Sequence, residues 1–225
     1  TICHTVKTAA FHLLDELETH RQGIIDDIDT EFLHDYRVAV RRFRAIVGQL
    51  KDELDPDSMD KIRTGLKTIS SETGKLRDLD VMILNQQYYT DLVPEQLQNG
   101  LTLFFNYIRE IRKEAHAAAS SYFSSPAYAE IIRNIETTCK KPANKLCIGG
   151  TVSVRQKAAT VIEHRFTKLR QKISKFSKNK EIIHKIRIDC KKARYLLELF
   201  GQLYPGGGIK KMIKELKRFQ TSLGN

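Results

Sequence analysis

HDYRVAVRRFRAI, residues 34–46, joins one histidine to four arginines inside a segment of helical character. HKIRIDCKKARYL, residues 184–196, repeats it 150 positions later, so that His34, Arg37, Arg41, Arg42 and Arg44 correspond to His184, Arg187, Lys191, Lys192 and Arg194. At about 100° per residue, with His34 at zero, Arg37, Arg41 and Arg44 fall near 300°, 340° and 280° and form one narrow stripe. Val40, Phe43, Ile46, Val47 and Leu50 fill the arc from about 120° to 240°, which is a core face, while Arg42 near 80° points elsewhere. The second segment repeats both features, with His184, Arg187, Lys191 and Arg194 on the stripe and Ile186, Ala193, Leu197 and Phe200 on the core face.

The repeat extends outward from these segments. Ile62, Leu66, Ile69 and Gly74 correspond to Met212, Leu216, Phe219 and Gly224, so each copy reads basic helix, turn, amphipathic helix, glycine. Apolar residues recur at spacings of three and four, and alternating strand patterns are nearly absent. The spacing predicts helices over about 4–22, 29–52, 57–73, 78–90, 93–124, 127–140, 151–177, 180–203 and 207–223. Pro56, Pro94, Pro126, Pro142 and the PGGG of residues 205–208 fall at or near the gaps, and KPANKLCIGG, residues 141–150, reads as a linker. The expected fold is all-α: two helical bundles related by an internal pseudo-twofold duplication and facing across a basic central cavity or pore. The first helical half covers about 1–140 and the second about 151–225, with the second apparently truncated because the partner of KLRDLDVM is not in the sequence.

Charge points to the class of ligand. The net charge is +11, with 12 Lys and Arg against 18 Asp and Glu over residues 1–100, so those residues carry −6 and the remainder +17. A balance of this kind suits a polyanion such as nucleic acid, an anionic membrane or a phosphate polymer. No acidic residue interrupts the stripe between His34 and Arg44 apart from Asp35, which lies off it. Like charges three and four apart repel, so the stripe costs stability until an anion arrives, whereas a face that merely stays wet mixes its signs. Arginine also offers a planar fork that matches phosphate oxygens. No apolar run of about 18 residues spans a bilayer, and the amphipathic start is no signal peptide, so no membrane partner is expected. Cys3, Cys139, Cys147 and Cys190 show no paired spacing, which leaves a disulfide framework and structural zinc unsupported and fits a reducing cytoplasm.

With HDYRVAVRRFR, the RDLDV of residues 77–81, HKIRIDCKKARYLLELF and the FQTSLG of residues 219–224 in order along it, nearly the whole chain resembles the conserved histidine α-helical domain, CHAD. The resemblance implies an all-helical fold of two bundles around a basic cavity that binds inorganic polyphosphate. It also implies association with a triphosphate-processing domain or enzyme, and a cytoplasmic place, associated with polyphosphate granules. The expected binding residues are His34, Arg37, Arg41, Arg44, Arg77, His184, Arg187, Lys191 and Arg194. Family members usually carry an acidic residue shortly after the final LG, whereas this sequence stops at Asn225.

The residues weigh against the rivals in different ways. A polyphosphate has no bases to stack, and no tryptophan occurs and no aromatic residue is interleaved on the stripe, which makes nucleic acid the weaker partner. The His34–Asp35 dipeptide is the kind of pair that ligates metal in phosphohydrolases, but its copy is His184–Lys185, so the repeat keeps histidine with cations rather than with a carboxylate. Asp78 and Asp80 are candidates for magnesium or, more simply, for a helix cap and for orienting an arginine. Arg109, Arg112 and His116 recreate the stripe spacing on the long helix and are carried as additional candidates with Lys168, Lys172, Lys214 and Lys217, although a solvated face accounts for them equally well. No nucleophile with a base at a persuasive spacing is found, and no cofactor is expected. The reading is a polyphosphate-binding module rather than an enzyme. A metal-dependent phosphohydrolase acting on phosphate chains and a nucleic-acid-binding helical protein are the alternatives.

Overall fold

The computed structural model describes residues 2–148, 153–175, 180–205 and 207–223. The fold is all-α. Its helices are α1 (Ile2–Ile25), α2 (Thr30–Gln49), α3 (Pro56–Glu72), α4 (Gly74–Leu84), α5 (Gln86–Asp91), α6 (Gln98–Phe123), α7 (Pro126–Lys140), α8 (Ala143–Leu146), α9 (Val154–Ser174), α10 (Lys180–Phe200) and α11 (Gly208–Ser222), with 3₁₀ turns at Glu95–Leu97 and Gly201–Leu203. Among the described residues the sole extended pairing is an isolated bridge between Leu54 and Cys147.

Short polar residues start these helices where the sequence places them. Asp29 accepts from the backbone N–H of Glu31 (2.8 Å), Asp55 from Ser58 (2.8 Å), Ser125 from Tyr128 (3.2 Å) and Ser153 from Gln156 (3.2 Å), each satisfying an amide that has no partner within its helix. Asp55 and Ser125 are followed by Pro56 and Pro126 at the first helical position, where the missing N–H costs nothing. Asp27, in the turn between α1 and α2, has φ 52°, and the backbone N–H of Ile28 closes back on Gly23 O (3.1 Å).

Three sequence expectations are corrected. The helix predicted over 78–90 is two helices: α4 begins at Gly74, so Arg77, Asp78 and Asp80 lie inside a helix and neither carboxylate caps its start. The helix predicted from 93 is preceded by a 3₁₀ turn and begins at Gln98. The linker at 141–150 is partly packed structure, because Leu146 and Cys147 bury their side chains while Asp55 N–H donates to Leu146 O (2.9 Å) and Ile148 N–H to Glu53 O (2.9 Å). Gly224 and the ends of the helix predicted over 151–177 lie outside the described residues.

The chain forms two compact units, one of Thr1–Ala10, Arg42–Met59 and Lys140–Asn225, the other of Phe11–Arg41 and Asp60–Cys139. These are not the halves in chain order that the sequence suggests: the division falls within α1, α2 and α3. In the first unit α10 packs on α9 and α11 around Leu169, Ile186, Cys190, Ala193, Leu197 and Leu216. The last two turns of α2 belong here, where Gln49 donates to Lys192 O (3.0 Å) and accepts from Arg165 Nε (3.0 Å). In the second unit, edge-on ring contacts join Tyr36 to Phe123 (5.1 Å) and Phe123 to Tyr128 (5.2 Å), and Tyr36 and Tyr128 share a buried hydroxyl hydrogen bond (3.1 Å). Gly65 brings α3 so near α7 that a Cβ there would lie 2.9 Å from Ile131 Cγ2.

Burial follows the repeated core face. Tyr36, Val40, Phe43, Val47 and Leu50, and their counterparts Ile186, Cys190, Ala193, Leu197 and Phe200, are all at most 1% exposed. That spacing of four, three, four and three is the period of a helix with one face committed to a core.

Candidate anion-binding site

With the core face fixed, helical geometry sends the stripe residues away from it. In the second unit, Arg37 reaches across to the end of α3 and donates to Ser70 O (2.9 Å) and Thr73 Oγ1 (2.7 Å), while Thr73 in turn donates to Ile69 O (2.8 Å). Arg41, one turn on and exposed, donates from Nε to Arg37 O (3.2 Å). Arg77 comes in from α4, donating to His34 Nδ1 (2.8 Å) and to Thr30 O (3.4 Å). A guanidinium has only donors, so His34 Nδ1 is the acceptor, and the neutral imidazole carries its proton on Nε2. The α2–α3–α4 corner therefore gathers three guanidiniums and one ring N–H donor.

Electrostatics records the crowding. Burial chiefly lowers the Arg37 pKa, and the neighbouring charges of Arg41 and Arg77 lower it further, against the opposing pull of Asp78. A cation held where other cations disfavour it is a group prepared for an anion.

The first unit contains the second stripe. Arg187 donates from Nε to Gln220 O (3.4 Å), a carbonyl 33 residues along, the same separation as from Arg37 to Ser70. Arg194 pairs with Glu198 one turn on (2.9 Å) and lies over the Tyr195 ring, 4.8 Å from its centroid. Lys191 is half-buried, and His184 and Arg44 are exposed.

The additional candidates separate sharply. Arg112 is bound to two carboxylates, Asp80 (2.7 Å) and Asp27 (2.6 Å), and so ties α6 to α4 and to the turn before α2. Hydrogen bonding to Arg112 lowers the Asp27 pKa, whereas burial raises that of Asp80 despite the same partner; the two carboxylates raise the Arg112 pKa well above its ordinary value. His116 Nε2 meets Ile24 O (2.8 Å), and Arg109 is hydrogen-bonded to Asn106 (3.2 Å) and to the Gln86 side chain. Lys172 pairs with the buried Asp189, which Arg165 also approaches (3.5 Å). These four candidates are thus occupied by internal ties, while Lys168, Lys214 and Lys217 are exposed. Sequence reasoning missed Ser70 and Thr73 as supports of Arg37, and Asp189 as a buried anion. The first was readable once Ser70 and Gln220 were aligned at the 150-residue offset; the second was hidden because Asp189 stands where the first copy has Ala39.

The family model of the CHAD domain matches residues 8–225. The chain belongs to the CHAD family. Solved structures carry the same architecture: the CHAD domain from the plant Ricinus communis superposes with a TM-score of 0.83 at 22% identity, covering 100% of this chain and 74% of that one. PptA from Streptomyces chartreusis gives a TM-score of 0.70 at 14% identity, covering 99% of this chain and 82% of that one. At such identities the likeness concerns the fold. No curated protein matches the sequence. Among the described residues of this CHAD chain, no group of three or more His, Cys, Asp or Glu is placed to hold a metal ion, and no helix is long and apolar enough to cross a membrane.

Proposed function

We propose that this CHAD chain binds inorganic polyphosphate through its His/Arg/Lys stripes and acts as a binding module in the cytoplasm, with association with polyphosphate granules or a triphosphate-processing enzyme as its role. The observation that carries the reading is Arg37, pinned by Ser70 and Thr73 beside Arg41 and Arg77, in a setting where positive charge is held against its own repulsion. Polyphosphate supplies closely spaced negative charge along a flexible chain, and the guanidinium forks match its oxygens. The His34 ring adds a neutral N–H donor beside them. Helix α2 places Arg41 and Arg44 three residues apart on one stripe, so a phosphate chain running along that helix meets both cations. The matching contacts of Arg37 and Arg187 support the internal duplication, which belongs to this proposal together with the basic cavity.

The test is a calorimetric titration of long-chain polyphosphate, duplex DNA and RNA at matched salt. Polyphosphate is expected to bind most tightly, with a log–log salt slope of several units, by analogy with roughly 0.7–0.9 per phosphate contact for nucleic acids. Arg41→Glu is expected to weaken it far more than Arg133→Glu, the same charge change at an exposed position on α7. Equal affinity for DNA, or equal losses in the two variants, refutes a dedicated polyphosphate site.

A further inference from the structure

The end of the second unit built from α4, α5 and the start of α6 is unlike the rest of the surface. Nine of the sixteen large apolar side chains exposed among the described residues fall between Val81 and Tyr107. They include Leu84, Tyr88, Leu92, Leu103 and Tyr107, each more than half exposed. Ring contacts make part of the patch continuous, running from Tyr88 to Tyr89 (5.6 Å), Tyr89 to Phe105 (6.2 Å) and Phe105 to Phe104 (5.4 Å), with only Phe105 buried. Arg109 holds α6 to Gln86 of α5, and Gln98 donates to Val93 O (3.3 Å), so the surface has a fixed scaffold. On α6, Gly100, Leu103, Phe104 and Tyr107 share one face at helical spacing, and a Cβ at Gly100 would meet nothing within 4 Å. The helix therefore buries one apolar face, through Phe105 and Ile108, and presents a second to solvent.

Charge selects the occupant. Val81–Ile108 contains no Lys, Arg or His and carries only Asp91 and Glu95, in a chain of net charge +11. Two copies of so basic a chain repel over most surfaces, whereas here they meet without opposing cations. Area agrees in order of magnitude: nine side chains, most of them more than half exposed, together offer apolar surface comparable with the roughly 800 Å² per partner of a standard stable interface. A partner selected by charge would need more than two acids to address, while an apolar patch facing its own copy is satisfied by a twofold axis. We infer that this α4–α5–α6 surface is the interface of a homodimer, formed by apolar contact around Leu103, Phe104 and Tyr107.

Sedimentation of the full 225-residue chain, over micromolar concentrations and in salt high enough to screen its charge, tests the inference. A concentration-dependent dimer is expected, and raising the salt leaves it intact or tightens it. Leu103→Glu with Tyr107→Glu, both at exposed positions, is expected to raise the dissociation constant by about 100-fold or more, with the helical circular dichroism unchanged. A chain that stays monomeric throughout overturns the proposal, including the case in which a different protein occupies the patch. So does a dimer that salt dissolves, or one that the double variant leaves as tight as before.

Discussion

Arg37 and Arg187 occupy equivalent places in two copies of one pattern, yet their settings differ. Arg37 makes two hydrogen bonds below 3 Å and feels Arg41 and Arg77, whereas the contact of Arg187 with Gln220 O is 3.4 Å long. His34 is fixed by Arg77, while His184 is exposed. Under the first copy, Ile62, Leu66 and Ile69 are buried; of their counterparts only Leu216 is, and Met212 and Phe219 remain more than a third exposed. The same sequence pattern thus stands in a more closely bonded setting at α2 than at α10. Preorganised donors lose less freedom on binding, so the α2 corner is expected to contribute more affinity per cation than the α10 stripe.

The largest effect concerns the buried carboxylate of each region. Asp80→Ala removes the tie of Arg112 to α4 while leaving its pair with Asp27, and is expected to cost about 1.5–3 kcal/mol in urea unfolding, the range for a lost hydrogen bond to a charged group. Asp189→Ala is expected to cost roughly half as much, because its partner Lys172 is nearly half exposed and can regain water. Equal losses would mean that the exposure of Lys172 does not lower the cost.

Ligand affinity sharpens the contrast. Arg37→Ala with Arg41→Ala is expected to weaken long-chain polyphosphate about 100-fold, near 2.7 kcal/mol, and Arg187→Ala with Lys191→Ala about 10-fold, read by calorimetry at constant salt. A larger loss from the second pair reverses the ranking. Arg77→Ala is expected to cost about 1 kcal/mol of affinity, by removing one guanidinium and the bond that orients His34.

The smallest effect is on acid stability. The folded-state pKa of Asp27 is lowered below the ordinary 3.8, so its pair with Arg112 contributes stability above that value and loses it as the pH falls through the folded pKa. The folded-state pKa of Asp80 is raised, so protonation there favours the fold as pH falls and opposes the trend. Asp27→Asn is expected to make the acid limb of stability shallower below about pH 4, measured as urea midpoint against pH. An unchanged limb would mean that Asp27 takes no part in it.

Periodicity made the all-α class legible, because a core face recurring at spacings of three and four has one low-energy answer. It also identified Val40, Phe43, Ile46 and Val47 of α2 and Ile186, Ala193, Leu197 and Phe200 of α10 as core residues, but not the equally buried Tyr36, Asp189 and Cys190. Helix boundaries around residues 73–98 were not legible: the α4–α5 break at Asn85 has neither proline nor glycine to announce it. Charge at helical spacing also failed to separate cations that face solvent from cations that meet a carboxylate. Arg112 and Lys172 carry the same local signature as Arg41, and only the arrival of Asp27, Asp80 and Asp189 from other parts of the chain distinguishes them.

By itself, then, the sequence determined the helical class, the doubled stripe and the face each stripe helix buries, since all three depend on spacings within one segment. The tertiary structure decided which cations are held in internal ion pairs, which backbone carbonyl steadies Arg37, and that the first ten residues and 42–59 group with the C-terminal helices. Those outcomes depend on residues tens of positions apart. Ion pairs and hydrogen bonds form between atoms about 3 Å apart in space, and no pattern within one segment encodes that approach.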